Sequence, residues 1–120
     1  QRDFDYIKKN AVKADCSAFI LYMAPPREPR DFPRLGVVAS KRIGNAVVRH
    51  RAKRIFREIF RSRHPSVPCD VLVFVRRGFS KFDFSALVKK FEGGCERLAK
   101  QLEQKRGESG LPQAELPETE

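Results

Sequence analysis

Nine of the residues from Lys41 to Arg63 are Lys or Arg, and Glu58 is the only acid among them. Guanidinium forks bind phosphate oxygens in pairs, whereas a lysine acts as a point charge. Arginine dominates here, which favours contact with a nucleic-acid backbone over loose charge screening. The alternative is a solvated face held by pairs along the helix, but one acid cannot compensate nine bases. Such a density of like charge is costly without a polyanion close by. Just ahead, Ser40-Lys41-Arg42-Ile43-Gly44-Asn45 reads as a tight turn into a helix. A helix start offers free N–H groups to a phosphate, and Lys41 and Arg42 add charge. The turn lacks the Gly-x-x-x-x-Gly-Lys-Ser/Thr spacing of a nucleotide-binding loop. Without the neighbouring arginines it would read equally well as an ordinary connection.

A second constellation is aromatic. Strand alternation over Phe19–Met23 sends Ile20 and Tyr22 to one face and Phe19, Leu21 and Met23 to the other. One face must meet the core. The other could serve as a platform for unstacked bases, although aromatics in a strand are more often core. No catalytic set emerges. Asp3, Asp5, Asp15, Asp31, Asp70 and Asp83 are scattered, Ser40 has no evident base, and His50 lies within the arginine face. Cys16, Cys69 and Cys95 are widely spaced, form no Cys-x-x-Cys, and lack metal-site spacing with His50 and His64. They read as three free thiols in a reducing cytoplasm.

These residues need elements to hold them. Residues 2–10 read as the end of an amphipathic helix, and a short strand is expected near Ala11–Lys13. Ala18–Met23 reads as a strand, and Pro25, Pro26, Pro29 and Pro33 make 25–33 a loop. Arg34–Ser40 reads as the next strand, hairpin-paired with the one before. Asn45 is the expected N-cap of a helix that reaches about Arg61–Arg63 and is stopped by Pro65 and Pro68. From Val48, the residues Ala52, Ile55, Phe56 and Ile59 recur at helical spacing, with Phe60 at the edge. The opposite face collects His50, Arg51, Lys53, Arg54, Arg57 and Arg61, with Arg49 at the boundary. Asp70–Val75 reads as a buried strand. Ser80 and Asp83 show capping-box spacing, and Phe84, Leu87, Val88, Phe91, Cys95, Leu98 and Leu102 trace one stripe to about Arg106, with Gly107 as the stop. Gly93 and Gly94 should weaken that helix.

The expected fold class is α+β, a single-domain two-layer sandwich in the order αβββαβα with a short first strand. The α/β domain covers 1–106, and 107–120 reads as an acidic, disordered tail. Four of the fifteen acids lie in residues 108–120, so 25 bases face 11 acids over residues 1–107, a net +14. That balance predicts a nucleic acid or an anionic membrane as partner. Ala18–Ala24 and Val71–Val75, the longest apolar runs, are too short to span a bilayer. No signal-peptide pattern opens the chain.

The run Ile43-Gly-Asn-Ala-Val-Val-Arg-His-Arg-Ala-Lys-Arg-Ile-Phe-Arg-Glu closely resembles the signature of the bacterial ribonuclease P protein subunit. Arg34-Leu-Gly-Val-Val-Ala-Ser-Lys-Arg, the strand Phe19–Tyr22, the Asp3-Phe4 pair and the basic–aliphatic end helix fit the same family, so the resemblance covers about residues 2–106. It implies a split βαβ fold with a left-handed crossover, whereas a right-handed one is the default for parallel strands. It implies a protein that assists a catalytic RNA in removing the 5′ leader of precursor tRNA, in the cytoplasm. The RNA with Mg²⁺ would perform the hydrolysis, with no metal site or catalytic residue on the polypeptide. Lys41, Arg42, Asn45, Arg49, His50, Arg51, Lys53, Arg54, Arg57 and Arg61 would face the catalytic RNA. Phe4, Lys8, Ile20 and Tyr22 would line a cleft for the single-stranded leader.

The sequence departs from the family at three points. Lys8 stands where a further cleft aromatic is expected. His50 stands where the arginine motif often has Asn, and would add a pH dependence near neutrality. The usual basic N-terminal stretch is missing. The expected partners are ribonuclease P RNA and precursor tRNA, with no membrane and no obligate protein partner. The competing reading is a ribosomal or other ribonucleoprotein component with no role in tRNA processing. A stand-alone metal-dependent nuclease and a helix-turn-helix DNA binder fit less well, since no carboxylate cluster and no second short helix are legible.

Overall fold

The structure, a computed structural model, describes residues 6–7, 9–26, 28–29 and 31–108. Its elements are β1 Val12–Asp15, β2 Phe19–Ala24, β3 Arg34–Val38, α1 Ala46–Arg63, β4 Asp70–Val75 and α2 Phe84–Glu108. Single 3-10 turns, Lys41–Ile43 and Phe79–Lys81, precede the two helices. Ahead of β1, Tyr6, Ile7, Lys9 and Asn10 are helical. The Tyr6 hydroxyl donates to the Pro25 carbonyl at 2.9 Å and ties that segment to the loop after β2. The order is the expected αβββαβα. The C-terminal helix runs through Gly107 to Glu108, past the glycine expected to stop it. The acidic stretch 109–120 lies outside the described residues.

The sheet order is β1-β2-β4-β3. β2 pairs antiparallel with β1 and with β4, and β3 pairs parallel with β4. The expected β2–β3 hairpin is therefore wrong: β4 lies between them. β4 carries Val71, Val73 and Val75 on its buried side and the half-buried Leu72 and Phe74 on the other. A strand apolar on both faces belongs in the middle of a sheet. β3, with an exposed Arg34 and no side chain at Gly36, takes the edge.

Both helices cover the same face. Phe19, Leu21 and Met23 of β2 and the three β4 valines meet Ala52, Phe56 and Ile59 of α1 and Leu87, Phe91 and Leu98 of α2. Phe19 packs edge-on against Phe56 with ring centroids 4.9 Å apart, and Phe60 meets Phe91 at 6.4 Å. Phe84 departs from its expected stripe. It is 49% exposed, and Phe79 from the preceding turn fills the core instead. The capping box also differs. Asp83 itself caps α2, its Oδ1 accepting from the Ala86 amide at 2.8 Å, while Ser80 belongs to the 3-10 turn.

Cys16, Cys69 and Cys95 are buried and form no disulfide with one another. Burial pushes the Cys95 thiol up to about 12, so it stays protonated at physiological pH. Of the two α2 glycines, packing explains one. A Cβ on Gly94 would come within 2.7 Å of Leu21 Cδ2 and 3.1 Å of Cys16 Sγ, so a bare backbone is what lets α2 sit against β2. A Cβ on Gly93 would meet nothing. Substitutions at these neighbours should therefore have opposite signs. Gly93→Ala should raise unfolding stability by about 1 kcal/mol through helix propensity. Gly94→Val should lower it by about 1–3 kcal/mol through overpacking. Urea denaturation of the two variants checks both.

Candidate nucleic-acid interface

The basic surface begins at the end of β3. The Ser40 side chain accepts from the Arg42 amide at 3.3 Å and caps the turn Lys41–Ile43. Ser40 thus has a structural role. Gly44 then adopts φ 150° and ψ −166°, a region that residues with a Cβ avoid. A Cβ there would also lie 2.9 Å from Val48 Cβ. Asn45 caps α1 as expected, its Oδ1 accepting from the Val48 amide at 3.0 Å.

The phase of α1 falls as the spacing predicts. Ala52, Phe56 and Ile59 are buried, and Val48, Ile55 and Phe60 are half-buried. On the far side His50, Arg51, Arg54, Arg57 and Arg61 are exposed, while Arg49 and Lys53 are half-buried. Among the described residues none of these side chains forms an ion pair, and neither does Glu58. Arg63 does, with Glu92 at 3.0 Å, which removes it from the free set. The first turn of α1 contains no acid, so the positive end of the helix dipole adds to the arginines instead of being offset. Arg49 is the constrained member. Its Nε is buried without a hydrogen-bond partner.

The sheet face turned away from the helices carries the aromatic constellation. Register builds two rows across it: Asp15, Ile20, Phe74 and Val38, then Lys13, Tyr22, Leu72 and Gly36. Ile20, Tyr22, Leu72, Phe74 and Val38 are all half-buried. A Cβ on Gly36 would sit 3.1 Å from Leu72 Cδ1, so the glycine leaves Leu72 room at the edge strand. Arg76 closes one end of the face, pairing with Asp15 at 2.9 Å. A hydrogen bond from the Ser17 amide, with Arg76 beside it, holds the Asp15 carboxyl below the usual carboxylate range.

The two surfaces meet at the carboxyl ends of β3 and β4. Arg77 Nε donates to the Arg42 carbonyl at 3.3 Å. Arg76 and Arg77 thus connect the basic turn to the row that holds Ile20 and Phe74. Sequence reasoning missed Phe74 and both arginines as site residues. The signal available was an Arg-Arg pair directly after a buried strand, but its neighbour across the sheet could not be read. Of the expected leader-cleft set, Ile20 and Tyr22 share this face, and Phe4 and Lys8 lie outside the described residues. Among the described residues no three His, Cys, Asp or Glu side chains gather as a metal site. No described helix is long and apolar enough to cross a membrane.

Comparison with known proteins points in one direction. The Ribonuclease P family model matches residues 1–99. A ribonuclease P protein component from Idiomarina loihiensis is 33% identical over 108 residues, which is 88% of this chain and 86% of that one. Another, from Nitratiruptor sp., is 35% identical over 77 residues, 64% of this chain and 67% of its own. The solved RNase P protein from Thermotoga maritima superposes with a TM-score of 0.70 at 29% identity, covering 80% of this chain and 91% of that one.

The start of α1 makes a stability prediction. Asn45→Ala should cost about 1 kcal/mol through loss of the cap. Gly44→Ala should cost about 1–3 kcal/mol through backbone strain at a positive φ. Thermal denaturation followed by circular dichroism measures both.

Proposed function

The chain belongs to the ribonuclease P protein family, and we propose that α1 holds the catalytic RNA while the outer face of the sheet holds the single-stranded 5′ leader of precursor tRNA. Proteins of this family are components of ribonuclease P, the endoribonuclease complex that matures tRNA 5′ ends. The observation that carries the assignment to α1 is its exposed arginine stripe, whose side chains form no ion pair among the described residues and which begins at a helix start with no acid in its first turn.

In this reading Lys41, Arg42, Arg49, Arg51, Lys53, Arg54, Arg57 and Arg61 bind RNA phosphates. The guanidinium groups engage oxygens in pairs, and the lysines add point charge. Asn45 contributes mainly by capping, and His50 donates a hydrogen bond from within the stripe. About six to eight phosphate contacts make binding steeply salt-dependent, with a loss on the order of 10³ in affinity over a few-fold rise in salt. The leader lies on the other surface. Tyr22 and Phe74 offer ring faces to unstacked bases, Ile20 and Leu72 widen the apolar floor, and Lys13 and Arg76 border it with positive charge. Phe4 and Lys8 belong to this cleft by resemblance. Arg76 and Arg77 join the surfaces, so that one protein orients the substrate against the RNA it is bound to.

The polypeptide supplies binding and orientation, not proton transfer. Mg²⁺ held by the RNA and substrate supplies the charge stabilisation for hydrolysis, and the RNA carries the chemistry. We place the complex in the cytoplasm.

Reconstitution tests this. The protein should stimulate leader release by ribonuclease P RNA at low Mg²⁺ and release nothing without the RNA. Cleavage by the protein alone would sink the RNA-catalysed reading, and no stimulation would favour another ribonucleoprotein role. The two surfaces should also separate. Arg51→Ala or Arg54→Ala should weaken assembly with the RNA by about tenfold. Tyr22→Ala should leave assembly unchanged and reduce the preference for leader-bearing over mature tRNA several-fold. If Tyr22→Ala affects neither quantity, the outer sheet face is not the leader site.

A further inference from the structure

One large apolar side chain stands exposed on the arginine face, where it offers a phosphate no hydrogen bond. Val47 is 67% exposed, ahead of Phe32 at 56% and of Val67 and Phe84 at 49% each. It lies beside the buried stripe of α1 and not within it, because Val48, its neighbour, already begins the side that meets the sheet. At helical spacing its companions are His50, Arg51 and Arg54, three, four and seven residues on. With Ala46 these residues line a recess of about 490 Å³ that has no carboxylate in its wall among the described residues. Two other hollows of the molecule differ in this respect. The one between His64 and α2 includes Glu92, Glu96 and Glu103, and the proline-lined one includes Asp31 and Glu103.

We propose that this recess seats one unpaired nucleobase of the catalytic RNA, its face against Val47 and its edge towards His50, while Arg51 holds the adjoining phosphate. The proposal rests on α1 being the RNA-binding face and adds what that face reads. A phosphate placed on an isopropyl group loses water and gains no hydrogen bond. A nucleobase has an apolar π-face to cover Val47 and edge acceptors for the flanking donors, and a guanidinium plane can stack on it. The base must be unpaired, because the major groove of an A-form duplex is too deep and narrow for side chains to read. The surrounding positive charge selects RNA over an apolar protein partner, which would have to bury Arg51 and Arg54 without acids to meet them. The recess therefore adds a non-electrostatic component to a face otherwise dominated by charge.

The two kinds of contact respond differently to salt. Affinity for ribonuclease P RNA is measured from low to high salt for the wild type, Val47→Ala, Val47→Leu and Arg51→Ala. Val47→Ala should bind about fivefold more weakly at every salt concentration, with the slope of log affinity against log salt unchanged. Val47→Leu should retain wild-type affinity. Arg51→Ala should weaken binding and reduce the magnitude of the slope by about one. Val47 is exposed and alanine favours helix, so circular dichroism should show all variants folded. If Val47→Ala matches the wild type while Arg51→Ala is impaired, Val47 faces water or another partner and the proposal fails, but the RNA face stands. A slope change in Val47→Ala would mean that it only positions the arginines, which also overturns the base contact. If Arg51→Ala and Val47→Ala both bind as the wild type does, the RNA-face reading fails with it.

Discussion

The edge-to-face packing of Phe19 on Phe56 pins the basic helix to the sheet. Phe56 lies at the centre of the one stripe of α1 that can be buried, so fixing it fixes the rotation of the whole helix. Once that rotation is set, His50, Arg51, Arg54, Arg57 and Arg61 must point away from the core. The same contact commits the inner face of β2 to the helices and leaves Ile20 and Tyr22 on the other side. One aromatic pair thus orients both surfaces that the proposed function requires. Gly94 supports the arrangement from α2, whose backbone approaches Leu21 and Cys16 too closely for a side chain.

The arrangement leaves charge unbalanced. Stability alone would favour acids in the first turn of α1 and partners four residues from each arginine. Instead the first turn has no acid, and Arg63, at the far end, is the arginine of this helix that pairs with α2. In the proposed function this repulsion is relieved by RNA phosphates, so its cost would be recovered as affinity. Apolar Val47 within that field is then the exception that calls for a different kind of contact. The buried thiols take no part. Their surroundings hold Cys16 and Cys95 protonated and therefore unreactive.

Local features of the sequence translated well into structure. The cap at Asn45, the phase from Val48 to Ile59, the strand at Asp70–Val75 and the alternation in β2 depend on spacings within one element. Features that depend on neighbours distant in sequence translated poorly. β3 follows β2 after a proline-rich loop and looks like its hairpin partner, yet β4 separates them. Phe84 fits the apolar stripe of α2 but starts the helix, and Phe79 fills the core instead. Arg76 and Arg77 carried no visible role until β4 set them beside Asp15 and the carbonyl of Arg42.

By itself, then, the sequence determined the elements, the two-sided character of α1, the turn that needs Gly44, and the family. Each follows from residue spacing or from a backbone angle that only certain residues adopt. The tertiary structure alone decided strand order, which residues share a row across the sheet, and how the basic turn joins the aromatic face. Those depend on which strand lies beside which, and a strand's own pattern says how deeply it is buried, not who its neighbours are. The side chain at Gly36 is absent for the sake of Leu72, 36 positions later in the chain, and only the folded sheet brings the two together.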